Sequence, residues 1–86
     1  MVQPRNAHGM KNWRNHIESH PDILYGKPVI RGTRIPVDLL LEKLSEGESA
    51  DQLLEAYPRL TREGIFAALA FAADTIKSEV VWPLAS

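Results

Sequence analysis

The stretch GKPVIRGTRIPV, residues 26–37, is where the chain changes from turns and short extended pieces to helices. It holds two β-prone pieces on either side of a turn, Val29-Ile30 and Ile35-Val37. Gly32 supplies the free backbone angles that a tight turn needs. Pro28 and Pro36 restrict both pieces to the edges or the ends of strands. The pattern predicts a small β-hairpin over about residues 28–37.

C-terminal to this stretch, apolar residues recur at intervals of three and four, which indicates amphipathic helices. Three helices are predicted, over about residues 38–46, 50–57 and 62–78. Their expected core stripes are Val37, Leu40, Leu41 and Leu44; Leu53, Leu54 and Tyr57; and Ile65, Ala68, Leu69, Ala72 and Ile76. The other side of the third helix is also unusually apolar, with Phe66, Ala67, Ala70, Phe71 and Ala73.

Capping signals separate the predicted helices. Gly47 lies where the first helix should end, since glycine readily adopts the left-handed conformation of a helix C-terminus. Ser49 and Gln52 have the spacing of a capping box. Pro58 ends the second helix, and Thr61 caps the third. A short helix, a tight turn and a longer helix form the outline of a helix-turn-helix.

Composition excludes several classes of protein. The 86 residues are 44% apolar and 24% charged, which are ordinary globular values. The absence of cysteine excludes disulfides, thiolate metal sites and a cysteine nucleophile. No run approaches the ~20 apolar residues of a bilayer span, and the first residues lack a signal-peptide core. We expect a soluble cytoplasmic protein with no membrane partner.

Charge is distributed unevenly along the chain. Residues 1–36 carry six basic and two acidic side chains, whereas residues 37–86 carry four basic and nine acidic ones. The basic half suits contact with phosphates, an acidic protein site or the acidic half of a second copy. Alternatively, these charged side chains have no partner and are simply solvated, and their uneven distribution arises by chance.

The compact unit is predicted to be a single domain over residues 13–78. Residues 1–12 lack periodicity and are interpreted as a flexible N-terminal arm, and Met10 is a candidate start that would make residues 1–9 an extension. Residues 79–86 form a short tail, in which Trp82 is a candidate anchor for a partner.

With the capped helices that follow it, the stretch at 26–37 resembles the signature of the domain of unknown function 433 family. The matching residues are Gly26, Pro28, Gly32, Thr33, Pro36, Gly47 and Pro58. The resemblance implies a homeodomain-like fold in a bacterial or archaeal protein. Combined with the residue patterns, it predicts a mainly α fold: a three-helix, homeodomain-like (helix-turn-helix) bundle preceded by a short N-terminal β-hairpin.

The same resemblance suggests a function. Some members resemble VapB-type antitoxins, whose partners are predicted to be PIN-like ribonuclease toxins. We therefore expect a non-enzymatic, antitoxin-like protein that restrains such a toxin and also represses its own operon. The candidate interface residues are Phe66, Ala70, Phe71 and Trp82. Arg31 and Arg34 would supply charge complementarity, and a homodimer through the hairpin or the apolar helix face is expected.

The alternative is a helix-turn-helix transcriptional regulator that binds operator DNA and has no toxin partner. The candidate DNA contacts are Arg59, Arg62, Lys27, Arg31 and Arg34. Arg62 is the one good reader of base edges at the start of the third helix. In a purely structural interpretation, Arg34 instead braces the hairpin by pairing with Asp38 or Asp22.

No catalytic, metal or cofactor site is predicted. Gly26-Lys27 lacks the glycine spacing and the Ser or Thr of a phosphate-binding loop. His16 and His20 have a four-residue spacing, but Pro21 breaks any helix there and no third ligand is evident. The resemblance carries over no catalytic residue either.

Overall fold

The computed structural model describes residues 12–78, so the predictions for residues 1–11 and 79–86, Trp82 included, lie outside the described residues. The elements are strands β1 (Ile17–Glu18) and β2 (Val29–Ile30) and helices α1 (Val37–Ser45), α2 (Ala50–Ala56) and α3 (Arg62–Ser78). Short 3-10 turns precede the strands, at Trp13–Asn15 and Leu24–Gly26. The fold is mainly helical with a two-stranded antiparallel sheet near the N-terminus, as predicted.

The sheet differs from the predicted hairpin in its pairing. β2 pairs with the earlier strand β1, with Ile17 opposite Ile30 and Glu18 opposite Val29. The expected second arm contributes a single bridge, from Val29 to Pro36. A proline has no N–H to donate, so this arm cannot extend a ladder of hydrogen bonds.

The turn after β2 forms as the sequence predicts. Gly32 has a φ of +80°, in the left-handed region that glycine tolerates. The Thr33 hydroxyl donates to the Ile30 carbonyl at 2.7 Å and accepts from the Ile35 N–H at 2.9 Å. The Gly32 N–H donates to the Glu18 carboxylate at 3.1 Å, which ties the turn to β1.

The predicted capping signals are confirmed. Gly47 follows α1 with a φ of +99°. Ser49 and Gln52 form a reciprocal capping box: the Gln52 N–H donates to Ser49 Oγ at 3.1 Å, and the Ser49 N–H donates to Gln52 Oε1 at 2.7 Å. At the start of α3, the Gly64 N–H donates to Thr61 Oγ1 at 3.0 Å.

The core takes side chains from both strands, all three helices and the α2–α3 connection. Its buried members are Ile17, Val29, Ile30, Val37, Leu40, Leu53, Leu60, Ile65, Ala67 and Ala68. α3 enters the core through small residues. A Cβ added to Gly64 would lie 3.3 Å from both Ile30 Cγ2 and Leu60 Cδ1, so the helix backbone approaches β2 closely.

Four side-chain directions predicted for α3 are wrong. Leu69 and Ile76, expected in the core, are 46% and 65% exposed, whereas Ala67, expected outside, is fully buried. Phe71, also expected outside, packs against the core. The cause is that α3 is apolar on both sides, so periodicity alone does not select the inner one. The side with the smaller residues packs inward because it brings the backbone closer to its neighbours.

The N-terminal segment is fastened to the second half of α3 by three side chains, which we call the Trp13 clasp: Trp13, Phe71 and Asp74. The Trp13 Nε1–H donates to Asp74 Oδ2 at 2.6 Å. The rings of Trp13 and Phe71 meet edge to face, with centroids 4.9 Å apart. Phe71, a candidate partner contact, therefore packs within its own chain and is half-buried.

Candidate binding surfaces

One side of α3 carries large apolar side chains with no covering element among residues 12–78. We call it the outer face; it consists of Phe66, Leu69, Ala70, Ala73 and Ile76. Phe66 is 50% exposed, and Leu69 and Ile76 are exposed to a similar or greater degree. The spacing of three and four residues places all five on one side of the helix. At 1.5 Å per residue, the face is about 15 Å long.

The outer face has no charge along its length. Asp74 is the one charged residue between Glu63 and Lys77, and its carboxylate is held in the Trp13 clasp. Of the four predicted interface residues, Phe66 is well exposed and Ala70 partly exposed on this face. Phe71 lies in the clasp, and Trp82 is outside the described residues.

Three of the five predicted DNA-contacting side chains are engaged within the domain. Lys27 Nζ lies 2.9 Å from Asp38 Oδ2, and the Arg62 guanidinium pairs with the Asp51 carboxylate. Arg31 makes three contacts: to Glu18 at 3.6 Å, to the Asn15 carbonyl at 2.9 Å and to the Arg14 carbonyl at 3.5 Å. All three side chains are more than half exposed, so these are surface contacts.

Glu18 is the centre of the polar contacts around the turn. The Gly32 N–H is the main cause of a lowered pKa of the Glu18 carboxyl, opposed by desolvation and reinforced by His20 and Arg31. His20 Nε2 lies 3.5 Å from Glu18 Oε1. The carboxylate is therefore ionised at neutral pH and its charge is largely compensated.

Arg34 and Arg59, the other two basic candidates, line a common cleft. No carboxylate of residues 12–78 pairs with either of them. The structural alternative, in which Arg34 pairs with Asp38 or Asp22, is not observed: Asp38 pairs with Lys27, and Asp22 makes no ion pair in the described chain. Arg59 Nη2 donates to the Gly32 carbonyl at 3.4 Å.

This arginine cleft has two adjoining ends, and Thr33, Arg34 and Arg59 line both. The larger end has a volume of about 520 Å³ and is completed by Glu18, Ile23 and Gly32; we call it the polar end because its lining is the more polar of the two, although apolar atoms form most of it. The apolar end, of about 270 Å³, is completed by Ile35, Tyr57 and Pro58. Arg34 and Arg59 thus border both the more polar and the more apolar part of the cleft.

A strained turn borders the polar end. Leu24 and Tyr25 have φ values of 50° and 58°, and Gly26 follows at 85°. Left-handed backbone costs an L-residue roughly 1–2 kcal/mol. Glycine adopts this conformation readily, but no residue pattern predicts that Leu24 and Tyr25 share it. The Tyr25 side chain is fully exposed.

Residues 12–78 contain no cluster of potential metal ligands. Within residues 12–78, no group of three or more His, Asp or Glu side chains is arranged to hold one. His20 contacts Glu18 alone among the acidic residues described. Separately, none of the helices in this range is both long and apolar enough to cross a membrane.

The family described as protein of unknown function (DUF433) matches residues 17–72. The chain belongs to the DUF433 family. The match confirms the resemblance predicted from the stretch at 26–37. It covers both strands, α1, α2, all residues of the arginine cleft and the first half of the outer face.

Two proteins show how this DUF433 domain relates to others. A DUF433 member from Anabaena variabilis has a crystal structure that matches with a TM-score of 0.69 at 28% identity, over 88% of this chain and 80% of that one. The uncharacterized protein y4eO of Sinorhizobium fredii is 44% identical over 59 residues. That alignment covers 69% of this chain but only 27% of y4eO.

Proposed function

We propose that the chain is a cytoplasmic, non-enzymatic, antitoxin-like protein that binds and restrains a PIN-like ribonuclease. The observation that carries the proposal is the outer face of α3. Phe66, Leu69 and Ile76 leave about half or more of their surface exposed. A small domain has few large apolar side chains, and these three are not used in its core. Contiguous exposed apolar surface of this kind is typical of protein–protein contacts, and aromatic residues are frequent anchors there.

The chemistry of α3 favours a protein partner over base readout. A helix that reads the major groove uses Arg, Lys, Asn or Gln side chains toward the base edges. The outer face offers apolar groups instead, and Arg62 at its start is paired with Asp51. Insertion of α3 into DNA would bury Phe66 against polar base edges and cost the Arg62 ion pair.

Without the ribonuclease, the outer face also suits a second copy of the chain. Ala70 and Ala73 have small side chains, which allow two helices to approach closely. Homodimers are most often two-fold symmetric, so each copy would present the same face to the other. We expect the ribonuclease to displace this self-contact, because both partners need the same apolar residues.

The test is light scattering after size-exclusion chromatography, with the protein encoded next to this chain as the partner. We expect one discrete hetero-complex and loss of the partner's ribonuclease activity. Phe66→Glu should abolish the complex by placing a carboxylate in the apolar face. Thr75→Glu is the matched control, because Thr75 is exposed on the other side of the same helix, and it should bind normally.

Two results would remove the proposal. One is the absence of any complex when both proteins are folded by circular dichroism. The other is equal loss of binding in Phe66→Glu and Thr75→Glu, since a contact through the outer face requires that they differ.

A further inference from the structure

Arg34 is a predicted toxin contact from the sequence, but the proposed contact depends on the outer face, and no residue that lines the arginine cleft belongs to that face. The two cations of the cleft come from distant parts of the chain: Arg34 follows the turn after β2, and Arg59 lies in the α2–α3 connection. Most other cations among residues 12–78 have an anionic or aromatic partner; Arg14, for example, lies over the Trp13 ring at 4.4 Å. Arg34 and Arg59 face a shared recess with no carboxylate paired to either.

We propose that the arginine cleft binds the phosphate group of a nucleotide, with the attached base on its apolar end. Guanidinium groups present planar forks of N–H donors that match phosphate oxygens in pairs. Two such forks at one recess repel each other when it is empty, and an anion between them removes that repulsion. The family match and the proposed partner do not require this site.

The charges around the cleft leave a net positive field for an anion. Glu18 lines the polar end, but its carboxylate already accepts from the Gly32 N–H and lies near Arg31 and His20. Arg59 makes one long hydrogen bond to the turn, and Glu18, the acidic residue that lines the cleft, already contacts the Gly32 N–H and Arg31.

The apolar end explains why a nucleotide fits better than phosphate alone. Ile35, Tyr57 and Pro58 line it beside both arginines, and Tyr57 and Ile35 are only partly buried. Aromatic and apolar side chains next to arginine are the usual surroundings of an unpaired base. A base within a duplex is stacked between its neighbours and cannot reach this recess. The ligand is therefore a free nucleotide or an unpaired nucleotide of a single strand.

The experiment is titration of the ¹⁵N-labelled full chain, followed by amide chemical shifts. The probes are inorganic phosphate, AMP, a single-stranded tetranucleotide and a duplex of the same composition. We expect AMP to bind about tenfold or more tightly than inorganic phosphate, with the largest amide shifts at residues 32–35, Tyr57 and Arg59. AMP and the tetranucleotide distinguish the two sources, since a strand-borne nucleotide favours the tetranucleotide. The duplex should bind more weakly than the single strand.

Variants test the role of the guanidinium groups. Arg34→Gln and Arg59→Gln should each weaken AMP binding about tenfold or more, whereas Lys77→Gln, which removes one positive charge at the far end of α3, should change it less than about twofold. Arg34 makes no hydrogen bond to the described chain, so its variant keeps the test valid even if Arg59→Gln perturbs the turn.

Any of three outcomes overturns the proposal. The first is no saturable shift at the cleft with AMP or the tetranucleotide. The second is an equal loss of affinity in Lys77→Gln and Arg34→Gln, which would mean general charge attraction. The third is binding of inorganic phosphate as tight as that of AMP, or of the duplex as tight as the single strand, which would remove the role of the apolar end.

Discussion

The Trp13 clasp should contribute a measurable share of the stability of this small domain. Trp13→Phe removes the indole N–H that donates to Asp74 at 2.6 Å and keeps a ring to pack edge to face against Phe71. Asp74→Ala removes the acceptor. Together with the double variant, these changes form a thermodynamic cycle that isolates the hydrogen bond from ring packing and from the helix propensity of alanine.

The expected coupling energy follows from the geometry of the bond. A hydrogen bond to a charged group contributes about 1.5–3 kcal/mol. Trp13 and Asp74 are both only partly buried, so water competes for the pair and the lower end applies, about 1.5 kcal/mol. For a domain of 60–100 residues, 1 kcal/mol shifts Tm by about 4–8 °C, so Trp13→Phe should lower Tm by roughly 6–12 °C.

Urea denaturation followed by far-ultraviolet circular dichroism measures the four free energies of unfolding without depending on tryptophan emission. A coupling energy below about 0.5 kcal/mol would refute the reasoning, because independent sites show couplings of that size. It would mean that water replaces the carboxylate without loss.

Three further predictions concern single residues elsewhere in the fold. Ser49→Ala should lower the free energy of unfolding by about 1 kcal/mol, measured as a lower urea midpoint with an unchanged slope; an unchanged midpoint would show that the capping box is dispensable. Glu18 has a lowered pKa in the folded state, so its stabilisation is present above its ordinary pKa of 4.5 and is lost as pH falls through the lowered value. The Tm difference between the native chain and Glu18→Gln should therefore shrink between neutral pH and pH about 3, and a constant difference would contradict the role given to the Gly32 N–H. Tyr25→Gly should raise the free energy of unfolding by about 0.5–1 kcal/mol, because it relieves left-handed strain and removes no buried contact; a decrease in urea melts would show that the exposed ring stabilises the turn.

Local features of the fold could be predicted from the sequence because each depends on neighbouring residues. The capping box at Ser49 needs only Gln52 three positions later. The turn at Gly32 needs a residue free to adopt positive φ and a hydroxyl from Thr33 to close it. Such contacts involve residues two to four positions apart, so their spacing can be recognised directly in the sequence.

Features that depend on distant residues could not be predicted in the same way. The pairing of β1 with β2 joins Ile17 to Ile30, and no local pattern at Ile17 specifies that partner. The inner side of α3 could not be told from its outer side by periodicity, so Leu69 and Ile76 were expected in the core. Arg34 and Arg59 meet only because the turn after β2 folds onto the α2–α3 connection.

The close seating of α3 constrains how sequences of this fold can change. A methyl group at Gly64 would lie 3.3 Å from side-chain carbons of Ile30 and Leu60, so both neighbours would have to move by a few tenths of an ångström, and Ala67 and Ala68 are fully buried beside it. A larger side chain at any of these positions is therefore favoured by a smaller one across the contact. Relatives with a larger residue at position 64 should therefore carry a smaller one at position 30 or 60. Within residues 12–78 no element packs on the outer face, so substitutions there should be tolerated by the fold more readily than at position 64.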